Sequence, residues 1–140
     1  MKFKYTSSTA LDTKGHFTKR PLLQLELTTK EGRKIYPLAL VDSGADQTLV
    51  NIQYADILGI DLRAAKNRPM GGIGPGANLT KVADFPIKPV QMNEEIIVPA
   101  CFIDSPNVDI LIGQEGFFDT YRVKFEKDHD VFEITKSNRK

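Results

Sequence analysis

An apolar run at residues 38–41 leads directly into a single acid, Asp42, and is followed at once by Ser43 and Gly44. The run is far too short to cross a membrane, so it predicts a buried strand that ends at the acid. Asp, Ser and Gly turn a chain and expose its backbone N–H groups. Residues 48–50 then resume an apolar pattern. A carboxylate at such a strand-to-turn junction is costly unless it is satisfied, which indicates a chemical role.

The composition places the chain among globular proteins with one domain over residues 1–140. Its apolar fraction of 41% and charged fraction of 26% are ordinary. With a net charge of +1, no nucleic-acid or anionic-membrane partner is expected. The single cysteine, Cys101, lies in an apolar stretch and predicts a small buried residue without a disulfide framework. The start of the chain lacks the apolar core of a signal peptide, so a cytoplasmic location is expected.

The first half of the chain predicts a hairpin that delivers Asp42. Residues 21–29 alternate apolar and polar side chains, and a polar turn separates them from the strand that ends at the acid. Residues 1–20 are weakly patterned and predict an edge strand or a partly ordered arm. Candidate apolar anchors of this segment are Phe3, Tyr5, Leu11 and Phe17.

The second half continues mainly as strands. A short helix is predicted over residues 51–59, with Asn51 as the N-cap and Gly59 as the C-cap. Residues 61–69 are polar, contain a proline and predict a loop. Strand patterns follow at residues 78–87 and 95–103, a polar turn at 104–107, and a C-terminal hairpin within residues 119–140.

Residues 70–76 are rich in glycine. Residues 72–77 formally fit a dinucleotide-binding fingerprint, but that motif must follow a strand and open a helix. Here a polar loop precedes it and a strand pattern follows, so the nucleotide interpretation fails on context. The alternatives are a hairpin tip of low side-chain bulk that can lie over an extended ligand, or a plain surface turn.

A third informative stretch, residues 108–118, is an apolar strand that ends in Gly113 and meets a short helical turn. This order parallels the earlier strand, Asp42 and helix, and indicates a weak internal duplication. His16 and His129 lie in polar surroundings without paired spacing, so no metal site is predicted.

Together these motifs carry a resemblance to a known family. The apolar strand, Asp42-Ser43-Gly44-Ala45, the acid Asp46 and the second strand closely resemble the active-site loop of retropepsin-like aspartic proteases. Residues 70–74 are similar to the flap tip of retroviral proteases, and Ile-Leu-Ile-Gly at 110–113 resembles the element that crosses behind the catalytic loop. The resemblance implies an all-β, closed barrel-like acid protease (retropepsin) fold with one or two short helices.

The resemblance also implies an activity and a partner. Aspartic proteolysis needs two carboxylates that share a proton, and the sequence has one Asp-Ser-Gly. A homodimer that hydrolyses a peptide or protein substrate with an activated water, and without a cofactor, is therefore expected. The family's site carries over to this chain as catalytic Asp42, Ser43 and Gly44, and substrate-binding Ala45, Asp46, Gly71, Gly72, Ile73 and Gly74.

One departure from the family bears on the dimer. Gln114 stands where retroviral members have an arginine that pairs with the acid equivalent to Asp46, and an amide cannot form that bidentate pair. The extended C-terminal segment looks more like bacterial retropepsin-like proteins. The alternative function is a catalytically silent module that binds peptides or oligomerises; the intact Asp42 motif and glycine-rich tip argue against it, and Gln114 argues for it. A self-cleaved leader within residues 1–20 is a further hypothesis.

Overall fold

The computed structural model describes residues 1–70 and 78–137, and it consists mostly of short β-strands with one regular α-helix. Helical turns also occur at Gln114–Phe118 and Lys127–His129. None of the helices in the described ranges is long and apolar enough to cross a membrane. The elements are β1 (Lys2–Lys4), β2 (Thr6–Leu11), β3 (Phe17–Arg20), β4 (Leu22–Gln24), β5 (Leu27–Thr28), β6 (Lys34–Ile35), β7 (Leu38–Val41), β8 (Thr48–Asn51), α1 (Gln53–Leu58), β9 (Lys66–Met70), β10 (Asn78–Ile87), β11 (Ile96–Ile103), β12 (Ile110–Ile112), β13 (Tyr121–Glu126) and β14 (Val131–Lys136).

A seven-stranded sheet in the order β4-β7-β12-β8-β11-β10-β9 organises the chain. The late strand β12 lies between β7 and β8, parallel to the first and antiparallel to the second. The loop that joins β7 to β8 must therefore pass over the end of β12. This insertion fixes both ends of that loop, which carries Asp42.

The two termini of the described chain meet in a separate three-stranded sheet of order β1-β14-β13. The Met1 ammonium donates a hydrogen bond to the Ile134 carbonyl, 2.8 Å away. Phe3 stacks on Phe132 with ring centroids 5.3 Å apart, and Tyr5 meets the same ring edge-on. Strands β2 and β3 form a hairpin of their own. The first strand is thus paired within its own chain.

Strict alternation along the strands builds the core. In β7, Ala39 and Val41 are buried, whereas Leu38 is exposed and Leu40 half-buried. Where a strand is covered on both faces the alternation disappears, as at the end of β11, where Phe102 and Ile103 are both buried. The largest fully buried side chains are Tyr121, Phe85, Phe102, Phe117, Phe132, Leu23, Leu25, Leu27, Ile87, Ile103, Ile112 and Ile134.

The predicted helix is present but begins later than expected. It spans Gln53–Leu58, and Ile52 occupies the N-cap position without a side-chain cap of its own. The Oδ1 of Asn51 accepts a hydrogen bond from the Gln53 N–H at 3.0 Å, so the predicted capping residue does bind the helix start, from one position earlier. Asn51 ends β8 instead, and its Nδ2 donates hydrogen bonds to the carbonyls of Ser105 and Val108. These bonds explain why the asparagine stays in the strand. Gly59 is the C-cap as predicted, with a φ of 73° that favours glycine.

The loop predicted over residues 61–69 is wrong in its second half. Lys66–Met70 forms β9, which pairs antiparallel with the start of β10. Pro69 is compatible with a strand here because β9 lies at the edge of the sheet, where a missing N–H need not cost a ladder bond. The polar composition that favoured a loop is equally typical of a solvated edge strand.

Glu26, between β4 and β5, forms ion pairs with Lys88 and Lys34, and these pairs make the stability of the fold depend on pH. Its carboxylate accepts a hydrogen bond of 2.8 Å from Lys88 and lies 3.8 Å from the Lys34 ammonium. The bond from Lys88 is the main cause that holds the pKa of Glu26 below its ordinary value of 4.5. A lowered carboxyl pKa stabilises the fold above the unfolded-state pKa, and this contribution is lost as the pH falls through the folded-state pKa.

Glu26→Gln is therefore expected to lower the free energy of unfolding at neutral pH by an amount that shrinks as the pH drops below 4.5. Urea unfolding of both proteins at several pH values between about 3 and 7 measures the difference. Glu31→Gln is the matched control, since Glu31 is exposed and makes no ion pair within the described residues. A Glu26→Gln effect that stays constant down to the lowest pH would contradict the assignment.

Candidate active site

Asp42 lies where β7 ends, at the start of the Asp42 loop (residues 42–47). Its backbone N–H donates to the Ile112 carbonyl at 2.9 Å, which continues the pairing of β7 with β12 by one residue. Its carbonyl accepts from the Ala45 N–H at 3.2 Å, and this bond turns the chain. Asp42 is half-buried, whereas Ser43 and Gly44 are exposed. The acid therefore stands on a fixed backbone at an accessible point of the surface.

The Asp42 carboxylate has a defined orientation. The N–H of Gly44 donates to its Oδ1 at 2.9 Å. A backbone donor two residues ahead is a common turn arrangement, and here it fixes one carboxylate oxygen and leaves the other free to meet a reactant. The bond is charge-assisted when the acid is ionised.

The Gly113 turn (residues 113–115) supports the Asp42 loop from behind. The N–H of Gln114 donates to the Ala45 carbonyl at 2.8 Å, and the N–H of Glu115 donates to the Asp46 carbonyl at 3.0 Å. Both loop carbonyls are thus bound by the turn that follows β12, the strand that crosses beneath them. The predicted role of the Ile-Leu-Ile-Gly element, to cross behind this loop, is realised by these contacts and by the position of β12.

Gly113 itself packs directly against the loop backbone. Its N–H donates to the buried Thr48 hydroxyl at 3.2 Å. A Cβ added at this position would overlap the carbonyl oxygen of Gln47 and lie 2.5 Å from the carbonyl carbon of that residue. Only glycine leaves room for this contact, so the position is fixed by space rather than by backbone conformation.

The Gln114 side chain makes a further contact with the loop. Its Nε2 donates to the Ser43 carbonyl at 2.6 Å. From the sequence alone, Gln114 was notable only because it cannot form the arginine pair of the family. The structure gives it a different partner in the same loop. No local sequence signal could have indicated this bond, since it depends on the direction of one carbonyl.

A cleft of about 470 Å³ opens on the outer face of the sheet, over β4, β7 and β12. Leu22, Leu40 and Leu111 form its apolar floor, and they are register partners on adjacent strands. Leu40 precedes Asp42 by two residues, so the floor leads to the acid. Residues 7–10 of strand β2 form a wall. The alternation of β7 implied an outer apolar side chain at this position, but its neighbours could only be found from the pairing of the strands.

Charged groups around the site are mainly acidic. Asp46 in the loop and Glu115 in the Gly113 turn are both exposed. In a separate pocket, burial and then a hydrogen bond with Asp109 raise the pKa of Tyr54 well above its ordinary value of 10.0. Within the described residues, no group of three or more His, Cys, Asp or Glu side chains could hold a metal ion.

Comparison with solved structures identifies the fold. A retropepsin-like aspartic protease from Rickettsia conorii matches with a TM-score of 0.58 and 17% sequence identity, over 96% of this chain and 98% of that one. The retroviral protease-like domain of Ddi1 from Leishmania major matches with a TM-score of 0.53 and 20% identity, over 81% of this chain and 88% of that one. The chain has the retropepsin-like fold. No family model and no curated protein sequence matches it.

The retropepsin-like fold confirms the predicted class, an all-β architecture with short helices, and the resemblance from which it came. Of the predicted site residues, the structure brings those of the Asp42 loop together in one exposed turn. The flap prediction at Gly71, Gly72, Ile73 and Gly74 lies outside the described residues. Residues missed from the sequence are Thr48, which binds Gly113, and the cleft residues Leu22 and Leu111.

Proposed function

We propose that this chain is one half of an aspartic endopeptidase that works as a homodimer. The observation that carries the proposal is the Asp42 carboxylate, accessible at the end of a buried strand and oriented by the Gly44 N–H. It occupies the crossing of β7, β12 and β8 in a retropepsin-like fold. Such a rigid backbone is what a group that must meet a reactant in a fixed geometry requires.

The homodimer follows from the chemistry. Two carboxylates about 3 Å apart cannot both ionise readily, so one keeps a proton that the other lacks. The sequence has only one Asp-Ser-Gly, and a two-fold axis beside the Asp42 loop would bring two copies of the acid together. Ser43 is exposed in the same loop, and we assign to its hydroxyl a hydrogen bond across such an axis.

Catalysis would then divide between the two acids. The ionised Asp42 takes a proton from a shared water, and the water oxygen attacks the peptide carbonyl carbon. The protonated Asp42 of the other copy donates a hydrogen bond to the carbonyl oxygen and later protonates the leaving amine. Gly44, without a side chain, lets the substrate backbone approach the pair. The titration belongs to the pair as a whole.

An extended peptide with an apolar side chain fits the site best. We assign the floor of Leu22, Leu40 and Leu111 as the surface that accepts that side chain, since Leu40 precedes Asp42 by two residues. We assign the covering role to residues 71–74, as the family resemblance implies. The carbonyls of Ala45 and Asp46 accept hydrogen bonds from the Gly113 turn. A substrate that contacts this part of the loop would therefore bind the exposed Asp46 side chain or the Asp46 N–H.

Cleavage of a mixed peptide library between about pH 3 and pH 7, at a series of protein concentrations, tests the proposal. We expect activity on the acidic side, inhibition by pepstatin-type compounds, and products cut beside apolar residues. The rate per chain should rise with concentration until the dimer is fully formed. A folded protein that is dimeric by sedimentation and cleaves nothing would contradict the proposal and favour the peptide-binding module.

A further inference from the structure

The Ser43–Gly44 peptide has hydrogen bonds at both of its ends. Its carbonyl oxygen accepts from Gln114 Nε2 at 2.6 Å, and its N–H donates to the Asp42 carboxylate at 2.9 Å. A trans peptide unit is planar, so its C=O and N–H point in opposite directions and turn together. A partner that fixes the carbonyl therefore also sets the direction in which the N–H points.

We propose that Gln114 is a positioning residue that orients the Asp42 carboxylate through the Ser43–Gly44 peptide. The inference rests on the proposed function, because orientation of this carboxylate matters only if Asp42 reacts. Gln114 touches neither the carboxylate nor the cleft floor by any contact the structure gives. Its effect on catalysis is indirect and passes through one peptide plane.

Gln114 has the rigid base that such a role needs. Its own N–H donates to the Ala45 carbonyl at 2.8 Å, and the preceding Gly113 N–H donates to the Thr48 hydroxyl at 3.2 Å. The residue is thus fixed at one point within the Asp42 loop and at another where β8 begins. Its exposed side chain needs to order only a few torsions to reach the Ser43 carbonyl.

Replacing Gln114 with glutamate makes its hydrogen bond to the Ser43 carbonyl depend on pH, and this dependence can be tested. Gln114→Glu keeps the shape of the side chain but, when ionised, replaces the donor by an acceptor that repels the Ser43 carbonyl. When protonated, the new carboxyl group can donate again. The charged groups nearest in the loop and turn are Asp42, Asp46 and Glu115, all acidic, and they favour the protonated form of the new group.

Kinetics of three variants measure the effect. Gln114→Ala is expected to lower kcat by roughly 10-fold to 100-fold, the cost of a misplaced reacting group, with KM nearly unchanged. Gln114→Glu should show the same loss near neutral pH, and its recovery toward the wild-type rate should begin above about pH 4.3, the ordinary glutamate pKa, because the nearby acids favour the protonated form. Gln53→Glu, an exposed glutamine on α1, is the matched control for the change in charge and should follow the wild-type profile.

Amide hydrogen exchange gives a readout that does not need activity. In Gln114→Ala the Gly44 N–H is expected to exchange about 3-fold to 10-fold faster, because one hydrogen bond that holds its peptide is lost. The Val41 N–H, bound to the Pro21 carbonyl in the sheet, should not change. Faster exchange at Gly44 alone supports the inference even if the wild-type protein cleaves nothing, which would count against the proposed function only. Unchanged exchange at Gly44, equal acceleration at Val41, or a Gln114→Glu profile without acid recovery would overturn it.

Discussion

Asp42→Asn is expected to abolish peptide cleavage. Asparagine can neither take a proton from water nor share one with its symmetry mate, and general acid–base catalysis supplies roughly 10²-fold to 10⁴-fold of rate for each such group. The fold should survive, because the amide oxygen of asparagine can still accept the hydrogen bond from the Gly44 N–H. Values of kcat/KM for both proteins, with urea unfolding curves to show that both are folded, measure the loss.

Mixing the two proteins tests whether one active site needs two chains. At a fixed amount of wild-type chain in a fully dimeric sample, an equal amount of Asp42→Asn chain should reduce activity to about half, because half of the wild-type chains then pair with the variant. If each chain acted alone, the added variant would change nothing. Activity that is unaffected by mixing would refute the shared dyad while leaving the role of Asp42 intact.

Asp104→Asn provides the matched control. Asp104 is also followed by serine, and it lies exposed in a turn after a buried strand. It differs from Asp42 in that a proline follows the serine, and none of the strands in residues 1–70 and 78–137 crosses behind it. If Asp104→Asn is fully active while Asp42→Asn is inactive, the chemistry belongs to Asp42, the acid whose loop is supported by a crossing strand. Loss of cleavage in both variants would contradict that assignment.

The Asp42 loop was predictable because its determinants are local. A short apolar run, an acid and small turn residues occur within a few positions, and each has a direct structural meaning. The crossing of β12 was expected for a different reason, the resemblance of residues 110–113 to the family's crossing element. The structure explains the glycine of that pattern, since a side chain at Gly113 would collide with the loop. Apolar runs indicate buried strands, and a glycine at the end of such a run is typical of a close backbone contact.

The N-terminal hairpin was not predictable to the same extent. Of the four candidate anchors, Phe3 and Tyr5 pack against Phe132, whereas Leu11 and Phe17 are 59% and 68% exposed. Within the described residues, strands β2 and β3 pair only with each other, so neither face is uniformly buried and hydrophobic alternation does not mark them. In such a hairpin, the positions of the apolar residues do not indicate which face packs against the core.

The contact between Gln114 and Ser43 illustrates a second limit. The sequence shows an amide at Gln114 where the family has a guanidinium. From this one can conclude only that the bidentate pair with the acid equivalent to Asp46 is absent. The replacement bond depends on the direction of the Ser43 carbonyl, which is set by the whole loop and by the strand beneath it. Tertiary geometry of this kind has no counterpart in residue order.

Gly113→Ala is the substitution from which we expect the largest structural effect. The added Cβ would overlap the Gln47 carbonyl oxygen and lie 2.9 Å from that of Ala45, and both atoms belong to the backbone of the Asp42 loop, whose ends continue into β7 and β8. Backbone cannot yield as a flexible side chain does, so we expect a loss in the free energy of unfolding of about 3 kcal/mol, the upper part of the range for overpacked sites. Displacement of the Asp42 loop should abolish cleavage as well. Urea unfolding and the peptide assay measure the two effects.

Gly44→Ala separates this steric effect from the general cost of an added methyl group in the loop. At Gly44 the new Cβ would meet only the Asp42 carboxylate oxygen, 3.2 Å away, and the residue is exposed. Its effect on the free energy of unfolding should therefore stay within about 1 kcal/mol, even if activity suffers from the extra bulk beside the acid. Equal destabilisation by both variants would mean that the crossing strand does not fix the loop, and the support assigned to the Gly113 turn would have to be abandoned.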